Sequence, residues 1–204
     1  MANAYFHVFD DRGVIRIAGE DRATFLQGLV SNDVLKVTPE KAGYGAFLTA
    51  QGKFLHDFFL IETGDALLIE TAADRLDDFF RKLRMYKLRS KVEISVDSDG
   101  WIIAAVFGSG ALDALDLPAE RGAASAFAEG IAFVDPRHAD AGARVLLAEV
   151  TGGGALGAAG LMETDRDAYD RRRVSLGLPD GSRDMAVEKT VLLEAGFEEL
   201  GGVD

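Results

Sequence analysis

The sequence has no cysteine among its 204 residues, which excludes disulfides, thiolate metal ligands and a cysteine nucleophile within this chain. No apolar run approaches the roughly 18–20 residues that cross a bilayer. Met1-Ala2-Asn3-Ala4-Tyr5 has neither a basic nor an apolar region, so no signal peptide is predicted and a cytoplasmic location is expected. Positive charge is scarce: 22 Lys and Arg stand against 34 Asp and Glu, for a formal net charge of −12. Such a surface repels phosphate backbones at long range, which argues against general nucleic-acid or anionic-membrane binding. His7, His56 and His138 are too dispersed in sequence to suggest a zinc site. There is no G-x-x-x-x-G-K-S/T loop and no G-x-S-x-G elbow. Gly152-Gly153-Gly154-Ala155-Leu156-Gly157 fits G-x-G-x-x-G, but no second strand is expected after the helix that follows.

What remains is an ordinary globular composition, 48% hydrophobic and 27% charged. Val14-Ile15-Arg16-Ile17 reads as a short strand. Asp21 to Val30 reads as a helix with Phe25, Leu26, Leu29 and Val30 on one stripe and Asp21 or Glu20 as its cap. Strands over 44–49, 54–62 and 66–71, joined by short turns, predict an antiparallel meander. Leu76, Phe79, Phe80 and Leu83 recur at i, i+3, i+4 and i+7, the apolar face of a helix over 74–86. Further strands are expected at 92–96, 101–107, 131–134 and 144–150, a glycine-rich connector at 151–160 and a polar helix at 161–174. Helices and hairpins without a sustained βαβ alternation predict an α+β fold, with antiparallel sheets and flanking helices. The composition breaks divide the chain into residues 1–96, a middle subdomain 97–160, and a helix and tail 161–204 returning towards the first.

The segment Phe54 to Ile61 is apolar in both parity classes, so both faces of this strand should be buried. His56 and Asp57 interrupt it. A buried carboxylate without partners costs several kcal/mol, which leaves two readings. Either Asp57 bonds a nearby turn and His56 reaches solvent, or Asp57 is a functional carboxylate. Asn32 and Asp33 read locally as turn residues, and Tyr44 as core. Arg81 to Lys91 holds six basic side chains and no acid. Asp74, Asp77 and Asp78 open the same helix, so this distribution complements the helix dipole; the alternative is an anion site.

Several of these segments also match motifs of a known family. Phe25-Leu26-Gln27-Gly28-Leu29-Val30-Ser31-Asn32-Asp33-Val34 resembles F-L-Q-G-x-x-T-N-D-V, and Gly43 to Lys53 resembles a G-x-x-A-x-L-x-x-x-G-K/R hairpin. Leu83 to Val92 resembles a basic helix exit, Asp135-Pro136-Arg137 with Gly142-x-Arg144 a D-P-R…G-x-R element, and Arg173 to Pro179 an R-x-x-x-G-I-P element. Together, in this order, they resemble the GcvT-like folate-binding family, closest to its YgfZ branch. The resemblance implies a core that grips tetrahydrofolate or a one-carbon derivative in a central hole between domains. Asp57 falls at the place of the glycine-cleavage T-protein's catalytic acid, with His56 in place of the first Asp of its pair. Asn32, Asp33, Tyr44, Asp57, Arg84 and Arg173 are the positions the motifs offer for folate contact. Leu200-Gly201-Gly202-Val203-Asp204 reaches the point where the branch continues into K-G-C-Y-x-G-Q-E and a C-terminal barrel, so both are expected to be absent, with Leu192, Leu193, Phe197 and Leu200 left without apolar partners. The implied role is folate binding in support of iron–sulfur enzymes, their assembly factors or tRNA modification. An aminomethyltransferase and a folate-free interaction domain are the alternatives.

Overall fold

The computed structural model describes residues 3–149 and 154–204. The chain forms two compact units that interleave in sequence: Met1–Asp10 with Asp99–Leu178, and Asp11–Ser98 with Pro179–Asp204.

The second of these carries the segments singled out above. Its five-stranded sheet runs β3 (Gly43–Leu48), β4 (Phe54–Glu62), β5 (Ala66–Ala72), β2 (Arg12–Ala18), β6 (Glu93–Val96), with every pairing antiparallel. The expected meander β3–β4–β5 is present because two short turns join strands whose apolar residues need cover on both sides. Helix α1 (Arg22–Gln27) is shorter than the expected 21–30. Asp21 does not cap it: its carboxylate accepts from the Lys91 backbone N–H at 2.7 Å instead. Helix α2 (Leu76–Tyr86) follows a 3-10 turn, Ala73–Arg75, and buries Leu76, Phe79 and Leu83. These side chains join Ile15, Ile17, Phe47, Phe58, Leu60, Leu67 and Ile69 in one core. Acids in the first turn of α2 and Arg84 in its last satisfy the dipole as expected.

The tail covers the opposite side of β4. Phe54 donates its N–H to the Thr190 carbonyl and accepts from Glu188 N–H. Leu192, Phe197 and Leu200 are buried, which corrects the expectation that they lack partners; of the four residues named for that role, Leu193 alone is exposed. Phe197 stacks on Tyr44 at 5.2 Å between ring centroids. Gly202 is required there, since a Cβ at this position would fall 2.5 Å from Phe197 Cδ1.

The other unit is built on a six-stranded sheet in the order β11 (Met162–Glu163), β1 (Ala4–Val8), β7 (Trp101–Gly108), β10 (Ala143–Ala148), β9 (Gly130–Val134), β8 (Ala124–Phe127). Among the described residues of this sheet, only β1 and β11 pair in parallel. Two expected boundaries are corrected here. Residues 4–8 belong with the middle segment, because β1 hydrogen-bonds to β7. The C-terminal helix also belongs to this unit, and it starts at Arg166 rather than 161, because Met162 and Glu163 pair with Tyr5 and Phe6 and Asp165 caps the helix by accepting from Ala168 N–H at 2.9 Å. Only from Pro179 does the chain join the first subdomain. The glycine-rich connector holds a one-turn helix, Ala155–Ala158; its first residues, and with them part of the G-x-G-x-x-G match, lie outside the described residues.

Candidate functional site

Strand β4 is buried from Phe54 to Ile61, and its alternation sends His56 and Asp57 to opposite faces. On the α2 side, the His56 ring stacks on Phe79 at 4.5 Å and 6°. Its Nε2 makes a 3.0 Å hydrogen bond with Asp78 Oδ2. Burial, and then the positive charge of Arg75, push the imidazole down to about 4 despite that bond. His56 is therefore a neutral interior side chain and does not reach solvent, contrary to one of the two readings of this segment.

Asp57 faces the tail and is 4% exposed. The Tyr44 hydroxyl donates to its Oδ2 at 2.9 Å. Thr71 donates to its backbone carbonyl at 2.8 Å. Gly181, in the left-handed region with φ +50°, passes so close that a Cβ there would lie 3.0 Å from Asp57 Oδ1. Arg12 supplies the nearby positive charge. Its Nε bonds Glu70 Oε1 in a close buried pair, and its Nη1 lies 3.7 Å from Asp180 Oδ1. Burial alone would weaken the hold of Arg12 on its proton. Glu70, Asp57 and Asp180 more than reverse this, and its pKa stands above the ordinary arginine value. Arg183 then pairs with Asp180 at 2.6 Å. This chain of charges leads outwards from Asp57 to a cavity of about 230 Å³ bordered by Asp11, Arg12, Asp74, Asp180, Ser182 and Arg183.

The other nominated residues divide. Asn32 is a strap: its side-chain N–H₂ donates to the Tyr44 and Gly201 carbonyls, both at 2.7 Å. Asp33 caps the turn Val34–Lys36 by accepting from Leu35 N–H at 2.9 Å. Both border, with Tyr44, a void of about 20 Å³, room for one water. Thus Asn32, Tyr44 and Asp57 form one bonded chain. Arg84 does not join it; it is exposed, with its guanidinium over Phe80 at 5.6 Å. Arg173 belongs to the other unit, buried and bonded to Asp170 at 2.6 Å and to the Leu178 carbonyl at 3.2 Å. In that unit the D-P-R element is a fork: Arg137 meets both oxygens of Asp135, at 3.0 and 2.7 Å. Burial would raise the Asp135 carboxyl, but Arg137 holds it below the usual range.

Arg12, Glu70 and Asp180 are not among the residues singled out from sequence. The signal for Glu70 is there, a lone acid inside the apolar run Ala66 to Thr71, of the same kind that marks Asp57. Among the described residues, no group of three or more His, Cys, Asp or Glu is arranged to hold a metal ion, and no helix is long and apolar enough to cross a membrane.

The family model described as the GCVT N-terminal domain matches residues 9–157. Curated relatives include the iron–sulfur cluster assembly factor IBA57 homolog, mitochondrial, of Aspergillus fumigatus, 28% identical over 95% of this chain and 49% of that protein. The human iron–sulfur cluster assembly factor IBA57, mitochondrial, is 29% identical over 95% of this chain and 56% of that protein. The chain thus spans about half the length of these relatives. Among solved structures, the glycine cleavage system aminomethyltransferase T of Bartonella henselae superposes with a TM-score of 0.70 over 87% of this chain and 52% of that one, at 15% identity. The fold is therefore GcvT-like.

Proposed function

The chain belongs to the GCVT N-terminal domain family, and on that premise we propose that it is a folate-binding unit acting in iron–sulfur cluster assembly. The assembly role rests on the relatives, whose names state it for them. Folate binding rests on one observation: a carboxylate, Asp57, held in the interior by Tyr44 and linked through Arg12 and Asp180 to a cavity.

The donor set fits a pterin. Asp180, which borders the cavity, offers carboxylate oxygens that accept hydrogen bonds, suited to the N–H-rich edge of an aminopyrimidine ring, and charge-assisted bonds of this type are short and directional. At about 230 Å³ the cavity lies below the roughly 300–1,000 Å³ of drug-sized pockets, so it suits a ring and not a whole folate. Tetrahydrofolate, when bound, supplies ring nitrogens that carry a one-carbon unit. Asp180 would meet the ligand, while Asp57 fixes the charge and orientation of Arg12 from behind.

His56 favours binding over aminomethyl transfer. It stands where the T-protein pattern has an acid, yet it points away from Asp57 and is committed to Asp78. The wider reading includes support of iron–sulfur enzymes or of tRNA modification. The cytoplasmic location is carried by this proposal alone, since the relatives' names place those proteins in mitochondria.

Titration calorimetry with tetrahydrofolate tests the site. Asp57→Asn keeps the shape of the side chain and should weaken binding at least about tenfold, or roughly 1.4 kcal/mol. Equal affinity in the variant overturns the role of Asp57, and failure of the parent chain to bind overturns the folate assignment. For the assembly role, gene deletion should lower the activity of iron–sulfur enzymes in the cell, and the parent gene should restore it.

A further inference from the structure

The exit of α2 is not used by the site above, and it combines two features. The first is apolar exposure. Met85, Tyr86 and Leu88 are 66%, 50% and 87% exposed within four consecutive residues. None of them belongs to the core of the unit, although α2 contributes Leu76, Phe79 and Leu83 to it. Leu88 also sits at φ +41°, a left-handed conformation that a leucine adopts at a cost, and its side chain gains no burial in return. The second feature is charge. Arg81 and Lys82 are taken up by Asp78, and Lys91 by Glu20. Among the described residues, Arg84, Lys87 and Arg89 have no carboxylate partner, in a chain with a net charge of −12.

We propose that residues 84–89 are a docking patch for an acidic, apolar-anchored segment of a partner protein. Tyr, Met and Arg are enriched in protein interfaces, and Met adapts to varied apolar partners. Tyr86 is preset for this role, its ring held edge-on against Phe47 at 6.1 Å and 70°. The three unpaired cations complement acidic side chains around an apolar anchor and give such a segment a local attraction on an otherwise repelling body. A polyanion is a poorer match. The overall charge repels it, and Met85 and Leu88 offer nothing to phosphate.

The test is fluorescence anisotropy of the full chain with a labelled amphipathic peptide of about 16 residues, Leu at i, i+3, i+4 and i+7 and Glu elsewhere. Saturable binding is expected, and it should weaken at least about tenfold in Met85→Ser/Leu88→Ser and in Lys87→Glu/Arg89→Glu, with the thermal midpoint of each variant within about 3 °C of the parent. A second peptide with Ser at the Leu positions should bind at least about tenfold more weakly. The proposal is overturned if the first peptide does not bind, or if both double variants bind it as the parent does. It is equally overturned if single-stranded RNA or phosphatidylserine vesicles compete for the patch more tightly than the peptide. Sedimentation completes the set: a dimer that the same variants dissolve would make a second copy of the chain the occupant and overturn the assignment to a partner.

Discussion

His56 and Asp57 are neighbours in one strand, yet their environments give them opposite uses. Asp57 is tied to a tyrosine hydroxyl and an arginine charge. His56 is stacked on Phe79 and neutral, with its pKa pushed from 6.5 down to about 4 by burial first and by Arg75 second. That shift has a consequence for stability. Above pH 6.5 neither the folded nor the unfolded chain protonates this ring. Between about 6.5 and 4 the unfolded chain takes up a proton that the folded chain refuses, so stability falls with falling pH. At about 1.4 kcal/mol per unit, the whole window is worth on the order of 3 kcal/mol. Below pH 4 the Asp78 carboxyl continues the loss: burial raises it, but Lys82 and His56 outweigh burial and hold it near 2. Urea unfolding at pH 7 and pH 4.5 should show the first part of this decline. His56→Gln keeps an N–H for Asp78 but cannot titrate, so its midpoint should change much less between the two pH values. An equal decline in both proteins would show that His56 is not the group responsible.

At the scale of elements, the sequence announces what depends on local pattern. The bounds of β4 are legible to the residue because a nine-residue segment with apolar residues in both parity classes, set between two turns, has few alternatives. Helix α2 is legible for the same reason, through its apolar stripe. Strands β1, β8 and β11 are not. Ala124-Ser125-Ala126-Phe127 has no β-branched residue, and two-residue β11 exists only because β1 lies beside it. The site shows the same division. Asp57 stands out because it interrupts an apolar strand. The pairing of Arg12 with Glu70, 58 residues apart, arises from the β2–β5 register and cannot be read from either segment alone. The tail is the largest surprise. It has no regular period, yet it seals one face of β4, chiefly through Phe197, which is fully buried against Tyr44. Truncating a buried phenylalanine removes its transfer energy and leaves a cavity, so Phe197→Ala should destabilise the unit by about 3–5 kcal/mol. Chemical denaturation measures this directly. A loss below about 1 kcal/mol would mean that the tail rests on the sheet without bearing on its stability.

At the scale of the molecule, the chain passes between its two units after Asp10, Ser98 and Leu178. One unit therefore joins segments far apart in sequence, with Pro179–Asp204 packed on Asp11–Ser98. That segment brings Gly181 against Asp57, Phe197 against Tyr44, backbone bonds to Phe54, and the Gly201 and Gly202 carbonyls to Asn32 and Ser31. The other unit has its sheet and its helix Arg166–Ser175 in place without it. Deleting residues 179–204 should therefore act unevenly. Amide hydrogen exchange reports opening segment by segment. In the shortened chain, exchange should accelerate at least about tenfold in β3 and β4, a loss of roughly 1.4 kcal/mol or more of local protection. Exchange in β7, β9 and β10 should change little, since their partners lie within their own sheet. Uniform acceleration across both sheets would show that the units open together. Unchanged protection in β3 and β4 would show that the buried contacts of the tail contribute nothing to holding the face on which Asp57 lies.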